Sequence, residues 1–388
     1  MKHRYTLSGL SLVVLIGALL ASHFLFGSFR SKDEISSHLK NPEGDISVRE
    51  GEDADRAVAS IQKSSDQKKD SFDDSRSILN RETMAWVYPG DPACSAPTEY
   101  SDGRVLDVMK PEYFSVNENG DLIFLTEESH GCNAYSSENA EKIRKFSKEQ
   151  FVTISSSYSK SMDVFMRRAL RDGEDIARLV DFVRANNFTG VELDFEDFGG
   201  WDSGVYDHYR EFVRRLGEEL HGEGKKLMID GPAIPGNEEA LWYQWRYEDF
   251  ASLPVDRVVV MAYDYQFDHG GGSPIAPFLW MEKVLQRTIS KFPDVSRLSV
   301  GIPSYGYESI RGSSQATILT YDQTREKQGF ETATRDDSSG EMTWMSGNRV
   351  YFYQDGKSMD QKRTLIEKFG IFSVSVWHLG GNQWFVGR

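Results

Sequence analysis

Hydrophobic and polar positions in this chain follow two periods that take turns along its length. Apolar, β-branched stretches stand at 83–89 (TMAWVYP), 111–116 (PEYFSV), 151–157 (FVTISSS), 190–196 (GVELDFE), 226–233 (KLMIDGPA), 257–265 (RVVVMAYDY), 298–306 (LSVGIPSYG) and 372–380 (FSVSVWHLG). Each predicts a β-strand, whose side chains alternate between two faces. Helical spacing runs between them. In DGEDIARLVDFVRANN, Ile176, Leu179, Val180 and Val183 keep the i, i+3, i+4, i+7 spacing of one helix face. In YDHYREFVRRLGEELHGEGKK the stripe is Tyr209, Phe212, Val213 and Leu216, and the glycine-rich exit marks a helix stop.

Strands alternating with helices predict an α/β protein with a parallel sheet, and eight of them predict a closed (β/α)8 TIM barrel over residues 81–388. Two segments strain that scheme. Residues 308–357 are too long for a simple connection and predict a small α+β insertion after strand seven. Almost no chain follows strand eight to supply a last helix. An open doubly wound sheet is the alternative topology.

The N-terminus departs from this pattern. After MKHRY, with Lys2 and Arg4, an uncharged run from Thr6 to Ser28 is long enough to span a bilayer of roughly 20 residues. Positive residues stay cytoplasmic, so residues 1–28 predict a transmembrane anchor with the remainder outside the cytoplasm; a cleaved signal peptide is the competing reading. Residues 29–80 are rich in Ser, Asp, Glu, Lys and Gln and poor in large apolar side chains, which predicts a disordered linker. About 50 such residues reach roughly 40 Å. Localisation at the cell envelope follows, with the folded domain either anchored or secreted. Two cysteines, Cys94 and Cys132, suit a disulfide in an oxidising compartment, against the alternative of two buried thiols. With no CxxC and no paired histidine spacing, no metal site is implied.

The domain is long enough for one large core, with 39% hydrophobic and 12% aromatic residues in the chain. A formal net charge of −15 and the lack of a Lys/Arg-rich run argue against nucleic acid as a partner and leave room for a neutral one.

The candidate chemistry sits in GVELDFEDF. Val191, Leu193 and Phe195 share one face of the strand; Glu192, Asp194 and Glu196 share the other, about 6.6 Å apart. In isolation this could be a half-exposed strand with its acids in water. In a barrel both faces are buried, the acids point to the axis, and Glu196 lies nearest the carboxyl-end mouth where active sites gather.

These residues resemble the glycoside hydrolase family 18 chitinases and related N-acetylglucosaminidases. The family's fourth strand carries DxxDxDxE, and TGVELDFE is similar to it, with Thr189 and Glu192 replacing the first two aspartates and Asp194 and Glu196 matching. MAYD (Met261 to Asp264) resembles the sixth-strand MxYD, GIPSYG (Gly301 to Gly306) the seventh-strand segment, and Trp377 the tryptophan that ends the eighth. ISSSYS departs from the family's SxGG on strand three. The resemblance covers roughly Thr83 to Arg388. It implies a hydrolase of β-1,4 bonds in N-acetylglucosamine-containing glycans, chitin or peptidoglycan, in which the substrate's own N-acetyl group is the nucleophile. It further implies Glu196 as proton donor, Asp194 as the partner of the acetamido N–H and Tyr263 as its hydroxyl contact. Asp264 and Met261 would bind the sugar, Tyr305 would line the pocket, Trp377 would form its floor and Glu192 would support Asp194. No cofactor is implied.

Other readings carry less. HGGGS (269–273) is similar to an esterase oxyanion loop, but no GxSxG elbow exists, so it reads as a flexible loop after strand six. GEGKK lacks the spacing of a phosphate loop. Asn187 opens an NFT triplet of the kind that glycosylation uses and that chance also supplies. A metal-dependent barrel enzyme would use Glu192, Asp194, Glu196 and Asp264 to hold a hard cation. A non-catalytic carbohydrate-binding protein on the same fold is the rival from another class; lectins of this kind generally lack the acid that stands here as Glu196.

Overall fold

The computed structural model describes residues 81–87, 106–127, 131, 133–313 and 316–386. The expected anchor, the linker and both cysteines lie outside these residues. Among the described residues no helix is long and apolar enough to cross a membrane.

The strands in chain order are β1 (Glu82–Val87), β2 (Leu106–Lys110), β3 (Glu112–Val116), β4 (Leu122–Phe124), β5 (Ser147–Ser156), β6 (Gly190–Phe195), β7 (Lys226–Pro232), β8 (Arg257–Met261) and β9 (Leu298–Pro303). Then come β10 (Gly306–Ile310), β11 (Ala316–Leu319), β12 (Thr334–Arg335), β13 (Met342–Ser346), β14 (Arg349–Tyr353) and β15 (Ser373–Leu379). The helices are α1 (Ser137–Phe146), α2 (Ser159–Asp172), α3 (Glu174–Ala185), α4 (Ser203–Gly222), α5 (Tyr265–His269), α6 (Phe278–Lys291), α7 (Tyr321–Arg325) and α8 (Gly356–Glu367).

Eight parallel strands close on themselves in the order β1, β2, β5, β6, β7, β8, β9, β15, with β15 returning to β1. The barrel expected from the alternation is therefore the fold, and the open sheet is excluded by the β1–β15 pairing. Its outer core is built as the helical stripes foretold: Ile176, Leu179, Val180 and Val183 of α3, and Tyr209, Phe212, Val213 and Leu216 of α4, are all buried. Phe195 of β6 stacks on Phe212, with ring centroids 6.3 Å apart and planes at 9°. Asp202 starts α4 by accepting the Val205 N–H at 2.9 Å, which satisfies a backbone donor left open in the first turn. Gly224, at a φ of +67°, turns the chain out of it.

The second strand differs from expectation. The barrel strand is 106–110, and the segment expected there, 111–116, follows it, with residues 112–116 past Pro111 forming β3, which pairs with the upper half of β5 and with the short β4. Pro111 has no N–H to give to a ladder, but its carbonyl accepts the Thr153 N–H at 2.9 Å, so the strand bends there. Lys110, the last residue of β2, is fully buried inside the barrel.

Between β9 and α8 the chain forms a separate five-stranded antiparallel sheet, in the order β11, β10, β14, β13, β12. It packs its own aromatic cluster, in which Trp344 stacks on Tyr351 at 4.3 Å and 5°. Loop 269–273 is tied to this sheet: Gly271 N–H donates to the Ser313 carbonyl at 2.7 Å and Gly272 N–H to Ser309 Oγ at 3.0 Å. The expected flexible loop is a fastened one.

Candidate active site

Each strand turns alternate residues to the axis. Met84, Trp86, Val108, Phe151, Met228 and Val259 form the inner apolar cluster, with Trp377 packed against it. Glu192, Asp194 and Glu196 rise through this interior on β6 and just beyond its end, in three different environments.

Glu192 is fully buried and fully partnered. Lys110 Nζ lies 2.5 Å from its Oε1, Thr153 Oγ1 donates to its Oε2 at 2.6 Å, and Lys110 also sits 3.2 Å over the Trp86 ring. A lysine in this place leaves a metal no claim on Glu192. Among the described residues no group of three or more His, Cys, Asp or Glu side chains could hold a metal ion. Thr189, where the family has its first aspartate, is spent on the ladder: its Oγ1 accepts the Gln150 N–H at 3.2 Å.

Asp194 is half-buried, and its Oδ1 is buried without a protein donor among the described residues. Burial raises its pKa well above the usual carboxylate range, helped by Glu196, Glu192 and Glu112 and opposed by Lys110. Glu196 is half-buried at the mouth, its backbone N–H still on the Ser156 carbonyl at 2.9 Å. Ser157 Oγ donates to its Oε2 at 3.3 Å. Burial, then the Asp264 carboxylate, raise its pKa to about 7, so near neutrality it exists in both protonation states. That is the condition for a group that donates a proton and takes it back.

β8 ends at Met261, and the chain then turns sharply: Asp264 stands at a φ of +68°, a left-handed conformation that aspartate tolerates better than most residues. The turn delivers Tyr263 and Asp264 to the mouth. Asp264 Oδ1 accepts hydrogen bonds from the hydroxyls of Tyr305 and Tyr307. Burial raises its pKa to about 6, with those two bonds opposing. Tyr305, expected to line the pocket, is almost fully buried; its ring stands edge-on to Trp377, 4.9 Å away, and supports that indole. Tyr263 fits because Gly301 faces it: a Cβ on Gly301 would lie 2.8 Å from the tyrosine Cε1. Trp377 itself is partly exposed, and the Trp377–His378 peptide is cis.

Four residues were missed by the sequence reading. Lys110 lies on β2, which the sequence reading did not place, and Glu112 on β3, which it took for the second barrel strand. Glu112 accepts from Ser155 Oγ and from Asn133 Nδ2, and its charge raises both Asp194 and Glu196. Tyr307 lies on β10 of the added sheet, just before the insertion expected at 308–357, and Asp230 lies in KLMIDGPA, where one acid among apolar residues was the only signal.

The barrel, the acid row on its fourth strand and the tyrosine–aspartate pair on its sixth define a class, and the chain belongs to it: residues 111–382 match the model of the glycosyl hydrolases family 18. Its similarity to an uncharacterized glycosylase of Bacillus subtilis, YvbX, is 26% identity over 217 residues, 53% of this chain and 61% of that one, so the chain spans less than two thirds of that relative. The fold is similar to that of the spore cortex-lytic enzyme SleL of Bacillus cereus, with a TM-score of 0.65 and 17% identity over 78% of this chain and 72% of the other. It is also similar to a class V chitinase of Nicotiana tobaccum solved with NAG4, with a TM-score of 0.64 and 15% identity over 78% and 95%.

Proposed function

We propose that this protein hydrolyses β-1,4 bonds in N-acetylglucosamine-containing glycans by substrate-assisted, retaining catalysis. The observation that supports this most is Glu196: a half-buried carboxyl at the carboxyl end of a barrel strand whose pKa is raised to about 7 by burial and by Asp264. As the bond from the anomeric carbon to the leaving oxygen breaks, Glu196 gives that oxygen its proton, and the substrate's acetamido oxygen closes on the anomeric carbon. Asp194 accepts the acetamido N–H and balances the positive charge of the cyclic intermediate. Water then opens this intermediate while Glu196, now the base, recovers a proton. Tyr263 contacts the acetamido group through its hydroxyl, Asp264 and Met261 line the sugar site, and the Trp377 indole offers a face on which sugar C–H groups stack.

The cortex-lytic relative favours peptidoglycan as the substrate, which also suits the expected envelope location and the linker at 29–80. Full-length protein incubated separately with chitin oligomers and with peptidoglycan, and the products identified by mass, tests the proposal. Release of fragments ending in a reducing N-acetylated sugar from peptidoglycan is the expected result. Cleavage of chitin alone overturns the choice of substrate. Binding without any product, unchanged in Glu196→Gln, overturns hydrolysis.

A further inference from the structure

Asp230 stands on β7 with the same parity as Met228 of the inner cluster, and its partner across the ladder is Val259 of that cluster. It is fully buried in the barrel interior, and no protein donor among the described residues reaches either of its carboxyl oxygens. The charged and titratable groups that act on it or feel it come from every side: Glu192 and Asp194 from β6, Lys110 from β2, Tyr209 from α4, and Tyr247 and Tyr263 from the loops above. The Tyr247 hydroxyl donates a hydrogen bond to the Pro232 carbonyl at 2.7 Å, and among the described residues the Tyr209 hydroxyl meets no protein partner. Lys110 is the one cation in this set, and its ammonium already holds Glu192 at 2.5 Å. Three carboxyl groups thus share one lysine. A second buried carboxylate here would have neither a counter-charge nor a donor, whereas a carboxylic acid brings its own donor to neighbours that are acceptors.

We propose that Asp230 is a positioning residue that stays a neutral carboxylic acid in the folded barrel and holds the Glu192 and Asp194 row in place by donating its O–H to one of those carboxylates. The protonation state stands on the geometry alone; the catalytic consequence rests on the proposed hydrolase reading. Burial, then Glu192, favour the protonated form, with Lys110 opposing. The proton serves Asp194 in two ways. It removes one negative charge from beside the residue, since the β6–β7 register sets Asp230 next to Asp194, and it fixes that side of the row, so that Asp194 keeps a free acceptor oxygen for the acetamido N–H.

The sign of the linkage sets the test. A carboxyl that binds its proton more tightly in the folded state than in the unfolded one, where its pKa is about 3.9, lowers stability as pH rises between the two values. Asp230→Asn removes that titration while keeping the shape and an N–H donor. Thermal melts of the full-length wild type and of Asp230→Asn from about pH 5 to pH 8 should show the variant gaining on the wild type as pH rises. A difference between variant and wild type that does not change with pH would mean that Asp230 binds no extra proton on folding and overturns the proposal. On a cleaved glycan, Asp230→Asn should keep kcat within about threefold and hold the upper limb of its pH profile, whereas Asp230→Leu should lose about tenfold or more in kcat with little change in KM. Wild-type kcat in Asp230→Leu overturns the positioning role. If Asp230→Leu does not fold, the Asp230→Asn melts and pH profile decide. If no glycan is cleaved by the wild type, the hydrolase reading fails, and the melts still decide the protonation state.

Discussion

Lys110 Nζ and Glu192 Oε1 lie 2.5 Å apart in the barrel floor, both side chains without solvent exposure. The resemblance to the family motif left Glu192 as an aspartate lengthened by one methylene. The structure supplies the reason for the longer arm's tolerance: a lysine from β2 and a threonine from β5 meet it. Ion pairs this deep are held by their geometry, and removing one partner strands the other.

Lys110→Met should therefore destabilise the domain by about 3–5 kcal/mol, because Glu192 is left buried without its counter-charge. Urea unfolding measures it. Lys110→Met combined with Glu192→Gln should recover a good part of the loss, and a single variant as stable as the wild type would contradict the pairing.

Glu196→Gln keeps the side chain's size and removes its proton chemistry. Turnover should fall by roughly 10²–10⁴-fold, the usual contribution of a positioned acid or base, with binding of N-acetylglucosamine oligomers retained. Steady-state kinetics and calorimetric binding read the two effects separately.

The pH dependence has a defined sign. Glu196 must carry a proton to give it away, so kcat should fall as pH rises through about 7. Asp264 is the largest charge that raises this value, after burial. Asp264→Asn should move the upper limb of the profile to lower pH. A limb that stays in place, in a variant that still turns over, would separate Asp264 from the acid.

Gly301→Ala tests the room reserved for Tyr263. The added methyl would lie 2.8 Å from the Tyr263 ring and 3.2 Å from the Met261 Cα, so the ring must move. A misplaced acetamido contact should lower kcat by about tenfold or more, with the fold intact by circular dichroism.

Glu341 fastens the inserted sheet to the barrel. Its carboxylate accepts the N–H groups of Ile275 and Ala276, each at 2.8 Å, and the buried Lys362 ammonium at 3.2 Å. Glu341→Ala strands Lys362 and two backbone donors and should cost about 3–5 kcal/mol in urea unfolding. Turnover should fall as well, since the loop it holds follows Tyr263 and Asp264.

Much of this molecule could be read from one dimension. A period of two at GVELDFE and of 3.6 in α3 and α4 follows from backbone geometry, which repeats locally and leaves its mark in neighbouring residues. The alternation of strand and helix and the face that carries Glu192, Asp194 and Glu196 were legible for that reason; the end of β8 at Met261 was not, because the expected strand ran on through MAYDY to Tyr265. Lys110 and Glu112 were not, because a charged residue on a short segment looks the same whether it faces water or an axis. Asp230 was hidden in the same way, as was the use of the Tyr305 and Tyr307 hydroxyls on Asp264.

The alternation of the chain by itself determined the α/β class and the strand on which the acids stand, since element type and side-chain parity depend on residues a few positions apart, whereas closure into a barrel was decided by the pairing of β15 with β1. Only the tertiary structure decided which charges those acids meet. Lys110 and Glu192 are 82 positions apart, and Asp264 and Tyr305 are 41. Closing the barrel brings such pairs into one buried volume, where the low dielectric makes a neighbour's charge large enough to set a proton's place.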